Sequence, residues 1–168
     1  MGKTNALRRL DGLGIPYRVA EYEVDEEDLS GLAVARKIGL PPDQVFKTLV
    51  LVGDRTGPVV ACLPVSCELD TKALAAVSGN RAVDLLPVRD LLPVTGYLRG
   101  GCSPIGMKKP YPSFLEEEAV LFGEISVSAG VRGRQILLAP EDLLRAMDGR
   151  LAALVRPAAA DRRPEGRP

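Results

Sequence analysis

The sequence predicts a single domain of the mixed α/β (α+β) class, in which a mixed, partly closed β-barrel-like sheet is flanked by helices. Helical and strand-like patterns alternate along the chain, and their connections are of hairpin length rather than the length of regular βαβ units. The 168 residues are also the size of one domain. We expect the domain to span residues 1–156, followed by a disordered tail at 157–168, where apolar periodicity is absent.

Five segments place apolar residues at helical spacing next to capping or stop residues. These segments are residues 4–13, 32–40, 71–79, 87–96 and 140–147. Gly14 follows the first segment, Gly39 and Gly79 lie at the ends of the next two, and Pro87 and Pro140 stand at the start of the last two, where a first-turn proline is tolerated. Pro93 predicts that the fourth helix stops near it, because proline removes a helical hydrogen bond and clashes with the preceding turn.

The strongest strand signal lies at residues 46–52 and 58–65, which are rich in β-branched and apolar residues and are joined by the turn sequence GDRTG. The two segments predict a hairpin, and their nearly continuous apolar character is typical of strands covered on both faces. Further strands are expected within residues 15–24, within 119–130 as two short strands broken at a glycine, and at 134–139.

Charge and hydropathy narrow the class of protein. Lys+Arg and Asp+Glu both number 22, so the bulk charge provides no strong footprint for nucleic acid. Hydrophobic residues make up 46% of the chain, yet no apolar run approaches the roughly 20 residues of a membrane helix. The N-terminal sequence MGKTNALRRL lacks the apolar stretch of a secretory signal, so we expect a cytoplasmic protein without a membrane partner.

The chain contains no histidine and three cysteines, Cys62, Cys67 and Cys102. The absence of histidine excludes Ser-His and Cys-His nucleophiles and His-ligated metals. Three cysteines without zinc-finger spacing are typical of reduced thiols rather than of a disulfide framework or a metal site. An enzyme of this composition would act through Lys, Tyr, Asp or Glu, backbone groups or its own substrate, and we expect no metal and no other cofactor.

The stretch GYLRGGCSPIGMKK, residues 96–109, combines four glycines, one cysteine and three basic residues. It lacks the lysine and hydroxyl positions of a P-loop, and the dinucleotide pattern G-x-G-x-x-G is missing. Two interpretations stay open. The glycines bring backbone N–H groups close to a ligand beside Lys108 and Lys109, or they form a tight turn with two solvated lysines. Without a histidine to activate it, Cys102 is interpreted as a packing residue.

Lys47 lies in the sequence QVFKTLVLV, at the mouth of an otherwise apolar strand. It is either a strand-end lysine that reaches solvent or a cation fixed at a pocket rim, suited to bind phosphate or polarise a carbonyl. Ser128 precedes a glycine turn in SVSAGVRGR and is either an ordinary strand-ending hydroxyl or part of the same site. Spacing alone leaves both alternatives open.

Taken together, the segments FKTLV, GYLRGGCSPIG-x-KK and SVSAGVRG, in this order and at these separations, resemble the bacterial YbaK/EbsC family of aminoacyl-tRNA editing proteins. The resemblance covers residues 3–155. It implies the barrel-like fold given above, a pocket for the 3′-terminal aminoacyl-adenosine, and removal of a wrongly attached amino acid, most of all Cys, from tRNA(Pro). Ala129 replaces the first glycine of the family's V-S-G-G-like turn, and the segment DLSG at 28–31 lacks the aromatic residue of some members.

The resemblance also implies roles for eight residues. The implied catalytic residues are Lys47, Gly100 and Gly101, and the implied substrate-binding residues are Tyr22, Ser30, Ser128, Lys108 and Lys109. In the Cys-specific members the substrate thiol attacks its own ester carbonyl, so the protein needs no nucleophile and acts by orienting the substrate and stabilising charge. The expected partners are a mischarged tRNA, bound at its 3′ aminoacyl-adenosine end, and, as a further hypothesis, prolyl-tRNA synthetase.

Two alternatives remain beside this interpretation. The first is a deacylase for Ala-tRNA(Pro) or another mischarged tRNA in which water attacks the ester. The second is a non-catalytic module that binds tRNA or prolyl-tRNA synthetase, which the neutral overall charge and the lack of a catalytic side-chain constellation would permit.

Overall fold

The computed structural model describes residues 2–156, which contain five α-helices. They are α1 (Asn5–Leu13), α2 (Gly31–Ile38), α3 (Thr71–Ser78), α4 (Val88–Thr95) and α5 (Pro140–Ala146). All five helices were predicted. The side chains of Thr4, Ser30 and Asp70 cap the first three helices by accepting hydrogen bonds from backbone N–H groups of the first turn. No helix of the described residues has the length and apolar character needed to span a membrane. The predicted tail at 157–168 lies outside the described residues.

Ten strands form three sheets within the described residues. The strands are β1 (Arg18–Glu21), β2 (Phe46–Gly53), β3 (Gly57–Pro64), β4 (Glu68–Leu69), β5 (Val83–Leu85), β6 (Ser113–Glu116), β7 (Ile125–Ser128), β8 (Arg134–Leu138), β9 (Arg150–Ala152) and β10 (Val155–Arg156). A five-stranded sheet has the order β5-β2-β3-β6-β9, a three-stranded sheet the order β1-β8-β7, and β10 pairs with β4. The mixed α/β class is therefore confirmed.

The five-stranded sheet contains the predicted hairpin. β2 pairs antiparallel with β3 from Phe46 opposite Pro64 to Gly53 opposite Gly57. β3 then pairs parallel with β6, and β6 pairs parallel with β9, so the sheet is mixed. The turn between the hairpin strands ends at Gly57, whose φ of 75° favours glycine.

The five-stranded and three-stranded sheets meet at the beginning of β2. Val45, the residue before β2, forms an isolated parallel bridge with Ser126 of β7. This junction gives the arrangement its partly closed character, but the described strands form three sheets and no closed barrel. The junction is also where the apolar cavity described below opens.

Both faces of the hairpin are buried, as its continuous apolar sequence predicted. Cys62 of β3 belongs to a cluster that includes Leu10 of α1 and Leu143 of α5. Its neighbour Leu63 points to the opposite face of the sheet and belongs to a second cluster, with Leu74 of α3. Each fully buried leucine of this kind stabilises the fold by about 1.5–3 kcal/mol relative to an exposed one.

Two sequence predictions about local structure were wrong. α4 does not end near Pro93 but continues to Thr95. Because Pro93 has no N–H, the Arg89 carbonyl four residues earlier lacks its helical hydrogen bond. Both residues lie on the exposed side of the helix, where water can solvate that carbonyl. Residues 117–121 form a 3-10 helix instead of a strand. The buried Glu116 carboxylate bends the chain there by accepting the Glu118 N–H over 2.8 Å.

Candidate functional site

A cavity of about 330 Å³ lies at the junction of the two sheets. The start of β2, the beginning of α2, the strand-to-helix segment around β5 and α4, and the loop at residues 99–102 form its wall. Its apolar lining residues are Leu29, Val34, Val45, Phe46, Leu49, Val50, Val65, Leu85, Leu86, Val88 and Leu91. Two cations, Lys47 and Arg99, belong to the lining, and no carboxylate does among the described residues. We call this cavity the editing pocket, after the role that the sequence resemblance implies for it.

Lys47 is fixed in the editing pocket by the hairpin. It lies at the second position of β2 and is half-buried, and its Nζ donates a hydrogen bond to the Cys67 carbonyl over 2.9 Å. Burial lowers the pKa of Lys47, an effect that outweighs the nearby Cys67 and Glu68, which raise it. A lysine held in such an apolar wall interacts more strongly with a negative charge than a lysine in open water does.

The glycine-rich loop approaches the turn that follows β7. Gly100 has a φ of 85° and lines the editing pocket. A Cβ on Gly101 would lie 3.0 Å from the backbone of Val131 and from the N of Arg132, so only glycine lets the two segments pack at this distance. The Gly101 N–H donates to the Leu98 carbonyl over 3.0 Å, whereas the Gly100 N–H donates no hydrogen bond within residues 2–156.

Three polar side chains complete the pocket wall. Ser128 ends β7 and accepts a hydrogen bond from the Gly130 N–H over 3.1 Å. Gln135 stands opposite Ser128 in the β7–β8 pair, and its Oε1 accepts a hydrogen bond from the Ser126 hydroxyl over 2.6 Å. Thr48 also belongs to the lining, but its hydroxyl oxygen is buried, and the residue lies opposite Cys62 in the β2–β3 pair.

Cys102 lines the pocket but is poorly suited to act as a nucleophile. Burial raises the pKa of its thiol to about 12, with a small opposing effect from Thr95. At neutral pH the side chain is therefore a thiol, and the packing role expected from the sequence agrees with this chemistry. Within the described residues, no group of three or more His, Cys, Asp or Glu side chains is placed to hold a metal ion.

The structure brings three of the predicted site residues into one cavity: Lys47, Gly100 and Ser128. Gly101 lies directly behind the wall. Ser30 caps α2 between Leu29 and Gly31, which both line the pocket, and its hydroxyl accepts the Ala33 N–H over 3.2 Å. These five residues lie at or next to the pocket, and their roles in catalysis and substrate binding stay predictions.

The other three predicted residues lie elsewhere. Tyr22 borders a separate, open depression, with Lys37 Nζ 5.9 Å from the centre of its ring. Lys108 and Lys109 line a groove beside α1 and α5. These two lysines, predicted to bind substrate, therefore line a different cavity from Lys47, Gly100 and Ser128, and their role stays a prediction.

Sequence reasoning missed four residues of the pocket wall: Arg99, Thr48, Gln135 and Gly31. The sequence could have indicated Arg99, because it is the third basic residue of the glycine-rich stretch, beside Lys108 and Lys109. Gly31 packs its Cα directly under Val65, whose Cγ1 would lie only 2.2 Å from a Cβ at position 31. Contacts of this kind depend on tertiary packing and leave no local signal.

The fold and the pocket together define a class of protein that is already known. The sequence model of the aminoacyl-tRNA editing domain matches residues 29–146, more than half of the chain, and the chain belongs to this family. A curated relative from Enterococcus faecalis (strain ATCC 700802 / V583), named "Putative Cys-tRNA(Pro)/Cys-tRNA(Cys) deacylase EbsC", is 50% identical over 152 residues, covering 90% of this chain and 93% of the relative.

Solved structures share the fold at lower identity. One, titled "Crystal structure of a putative trans-editing enzyme for prolyl tRNA synthetase", matches with a TM-score of 0.79 and 22% identity, covering 92% of this chain and 99% of the other. A second, described as a hypothetical protein, matches with a TM-score of 0.82 and 16% identity, covering 91% of this chain and all of the other, 100%. At these identities the likeness concerns the fold alone.

Proposed function

We propose that this protein is a trans-editing aminoacyl-tRNA deacylase that removes a mischarged amino acid, Cys in the first place, from tRNA(Pro). Membership of the editing-domain family supports the reaction class, and the 50% identical relative, whose name specifies Cys-tRNA(Pro), supports the substrate. The substrate class assigns the activity to the cytoplasm, where charged tRNA is used.

The observation that carries the proposal is the chemistry of the editing pocket. It presents one half-buried cation, Lys47, in an apolar wall, and the only thiol in the wall, Cys102 among the described residues, stays protonated. A pocket of this composition is suited to bind a small side chain and stabilise negative charge, but it offers no activated nucleophile. The nucleophile is therefore best supplied by the substrate.

In the proposed reaction the cysteinyl Sγ attacks the carbonyl carbon of its own ester. The new S–C bond closes a four-membered thiolactone, the bond between the carbonyl carbon and the ribose oxygen breaks, and the thiol proton ends on the ribose hydroxyl. The protein would hold the thiol near the carbonyl and bind the developing oxyanion with the unengaged Gly100 N–H and with Lys47. The Lys47 ammonium donates one of its three N–H groups to the Cys67 carbonyl, which leaves two for the oxyanion.

A panel of charged tRNAs tests the proposal. Cys-tRNA(Pro), Ala-tRNA(Pro) and 2-aminobutyryl-tRNA(Pro) are each incubated with the protein, and the loss of the ester is followed over time. The 2-aminobutyryl group is close to Cys in size but has no thiol, so we expect rapid loss of Cys only. If none of the three substrates is deacylated, the enzyme hypothesis is contradicted.

A second candidate function keeps the same pocket and uses water as the nucleophile, with Ala-tRNA(Pro) or another mischarged tRNA as substrate. The observation that favours it is the Ser128 hydroxyl in the pocket wall, which accepts a hydrogen bond from the Gly130 N–H and keeps its own proton to donate to a water molecule. Equal rates for the cysteinyl and 2-aminobutyryl substrates would support this candidate. Prolyl-tRNA synthetase is proposed as a partner that delivers the tRNA, and its addition to the same panel would show whether it raises the rate.

A further inference from the structure

A basic groove of about 250 Å³ lies outside the editing pocket. Arg9 of α1 contributes to one side, Lys108 and Lys109 to another, and the ring of Tyr111 lies beside them. One acidic residue, Asp148, also borders the groove, so three cations face one carboxylate. We use the name basic groove for this set of residues.

The lysines of the basic groove have no partner in the part of the chain that the structure describes. Neither the Lys108 nor the Lys109 ammonium makes a hydrogen bond or ion pair within residues 2–156. By contrast, Arg18 and Arg132 are each paired with a glutamate, at 2.6 and 2.8 Å. The two adjacent lysines are thus available to neutralise an external anion.

The sequence around the groove strengthens its positive charge. Residues 91–115 include three basic residues, Arg99, Lys108 and Lys109, and not a single acidic one, although the whole chain has a net charge of +0. A local excess of this kind concentrates the positive field on one part of the surface. The partner is therefore expected to be a polyanion that binds locally.

α4 connects the basic groove to the editing pocket. Val88 and Leu91, in the first half of α4, line the pocket. At the other end, the Lys108 N–H donates to the Thr95 carbonyl over 3.1 Å, and the Tyr111 hydroxyl donates to the Val94 carbonyl over 2.7 Å. At 1.5 Å per residue, Leu91 and Val94 are about 5 Å apart along the helix axis, so the two sites are neighbours that one nucleic-acid strand can reach.

We infer that the basic groove binds the phosphodiester backbone of the RNA strand that leads to the aminoacyl end in the editing pocket. This inference rests on the proposed function. Cations that follow a backbone, with an aromatic ring beside them, are the usual means of binding single-stranded nucleic acid. Tyr111 offers such a ring, because it lines the groove, is partly exposed and has its hydroxyl engaged with Val94.

The test measures binding of uncharged tRNA(Pro) as a function of salt, so that it does not depend on catalysis. Wild type is compared with Lys108→Ala/Lys109→Ala and with the control Lys72→Ala/Arg81→Ala, which removes two exposed cations that border neither cavity. We expect the slope of log Kd against log salt to fall by about 1.4–1.8 in the groove variant, because each phosphate contact contributes about 0.7–0.9. The ratio of variant to wild-type Kd should then fall about tenfold between about 50 and 200 mM salt.

An unchanged slope in the groove variant, or an equal change in the control, would overturn the inference. A change that occurs only when prolyl-tRNA synthetase is present would also overturn it and assign the groove to a protein partner. Thermal unfolding of each variant confirms that the fold is retained.

Deacylation separates this inference from the proposed function. Cysteinyl-adenosine carries the ester but no phosphodiester and can occupy only the editing pocket. The groove variant should therefore process it at the wild-type rate while losing kcat/KM on the full tRNA. Loss on both substrates would contradict a separate groove. Normal salt-dependent tRNA binding by a wild type that deacylates neither substrate would contradict the proposed function and leave the groove supported.

Discussion

Arg132 ties the rim of the editing pocket to the acidic loop after β1: its Nη1 donates to Glu26 Oε2 over 2.8 Å. The same side chain donates from Nε to the Arg99 carbonyl over 2.8 Å and lies against Gly100. The loop that carries Gly100 into the pocket is therefore held from outside by one guanidinium. The two bonds differ in kind, because the first joins exposed charges and the second fixes a backbone carbonyl.

We expect Arg132→Ala to lower kcat/KM for deacylation about tenfold, because a hydrogen bond from a charged donor that fixes the Gly100 loop is lost. Glu26→Gln should change kcat/KM less than about twofold, since the Glu26 side chain is 70% exposed and such surface pairs contribute little. Single-turnover assays on Cys-tRNA(Pro) check both variants. Arg132→Lys, which keeps the charge without the guanidinium geometry, should resemble Arg132→Ala, and equal losses for Glu26→Gln and Arg132→Ala would contradict this role.

Lys47→Met should reduce the deacylation rate constant by about 10²–10³, the usual cost of removing one preorganised donor from an oxyanion site. Methionine keeps an unbranched side chain in the apolar wall, so the pocket should stay closed to water. Single-turnover rates with Cys-tRNA(Pro) provide the measurement. The matched control is Lys72→Met, on the exposed side of α3, which should retain the wild-type rate. A rate for Lys47→Met within threefold of the wild type would remove Lys47 from the mechanism.

The same substitution should make the protein more stable near neutral pH. Burial lowers the pKa of Lys47 in the folded state below its ordinary value of 10.5. Below this native pKa the side chain is charged, and its desolvation reduces the free energy of unfolding. Between the native pKa and 10.5 the unfolded chain binds more protons, and wild-type stability rises with pH. The advantage of Lys47→Met in free energy of unfolding should therefore be largest at neutral pH and shrink as the pH approaches 10.5. Urea unfolding at several pH values checks the trend, and an advantage that grows with pH would contradict it.

The sequence was a good guide to the fold wherever one local signal dominated. The hairpin of β2 and β3 was predicted because its strands are apolar and its turn is rich in turn-forming residues, and both signals are local. Local signals failed at Pro93 and at residues 117–121. At Pro93, solvent exposure lets the helix continue through the proline. At residues 117–121, the buried carboxylate of Glu116 redirects the chain. Neither cause is visible in a short sequence window.

The candidate site shows the same limit. Lys47, Gly100 and Ser128 come from three distant segments, and only the resemblance of ordered motifs indicated that they belong together. Adjacency in the chain was misleading for Lys108, which stands only eight residues after Gly100 in the sequence but borders the basic groove. The turn at Pro104 and Gly106 packs against α1 and carries the chain away from the pocket, a contact set by tertiary structure.

Cys102→Ala should retain deacylation of Cys-tRNA(Pro) within about threefold of the wild type. Burial raises the pKa of Cys102 to about 12, so less than about one part in 10⁴ is thiolate at neutral pH. Cys67 and Cys102 are both partly exposed, but burial raises the pKa of Cys102 more than that of Cys67. Iodoacetamide at pH 8 should therefore modify Cys67 first, as peptide mass analysis would show. Loss of activity on alkylation of Cys102, together with an inactive Cys102→Ala, would instead indicate a protein nucleophile.

Gly101→Ala should lower the free energy of unfolding by about 1–3 kcal/mol, the usual range for overpacking. Its Cβ would lie 3.0 Å from backbone atoms of Val131 and Arg132, which cannot rotate away as a flexible side chain would. Gly12→Ala is the matched control: it lies in α1 with no atom within 4 Å of the added Cβ, so it should stabilise the protein by about 0.5–1 kcal/mol. Urea unfolding measures both changes. If Gly101→Ala lowers the free energy of unfolding and Gly12→Ala raises it, glycine is required at 101 because the two segments approach closely. If Gly101→Ala is as stable as the wild type, the loop can move away from the turn without cost.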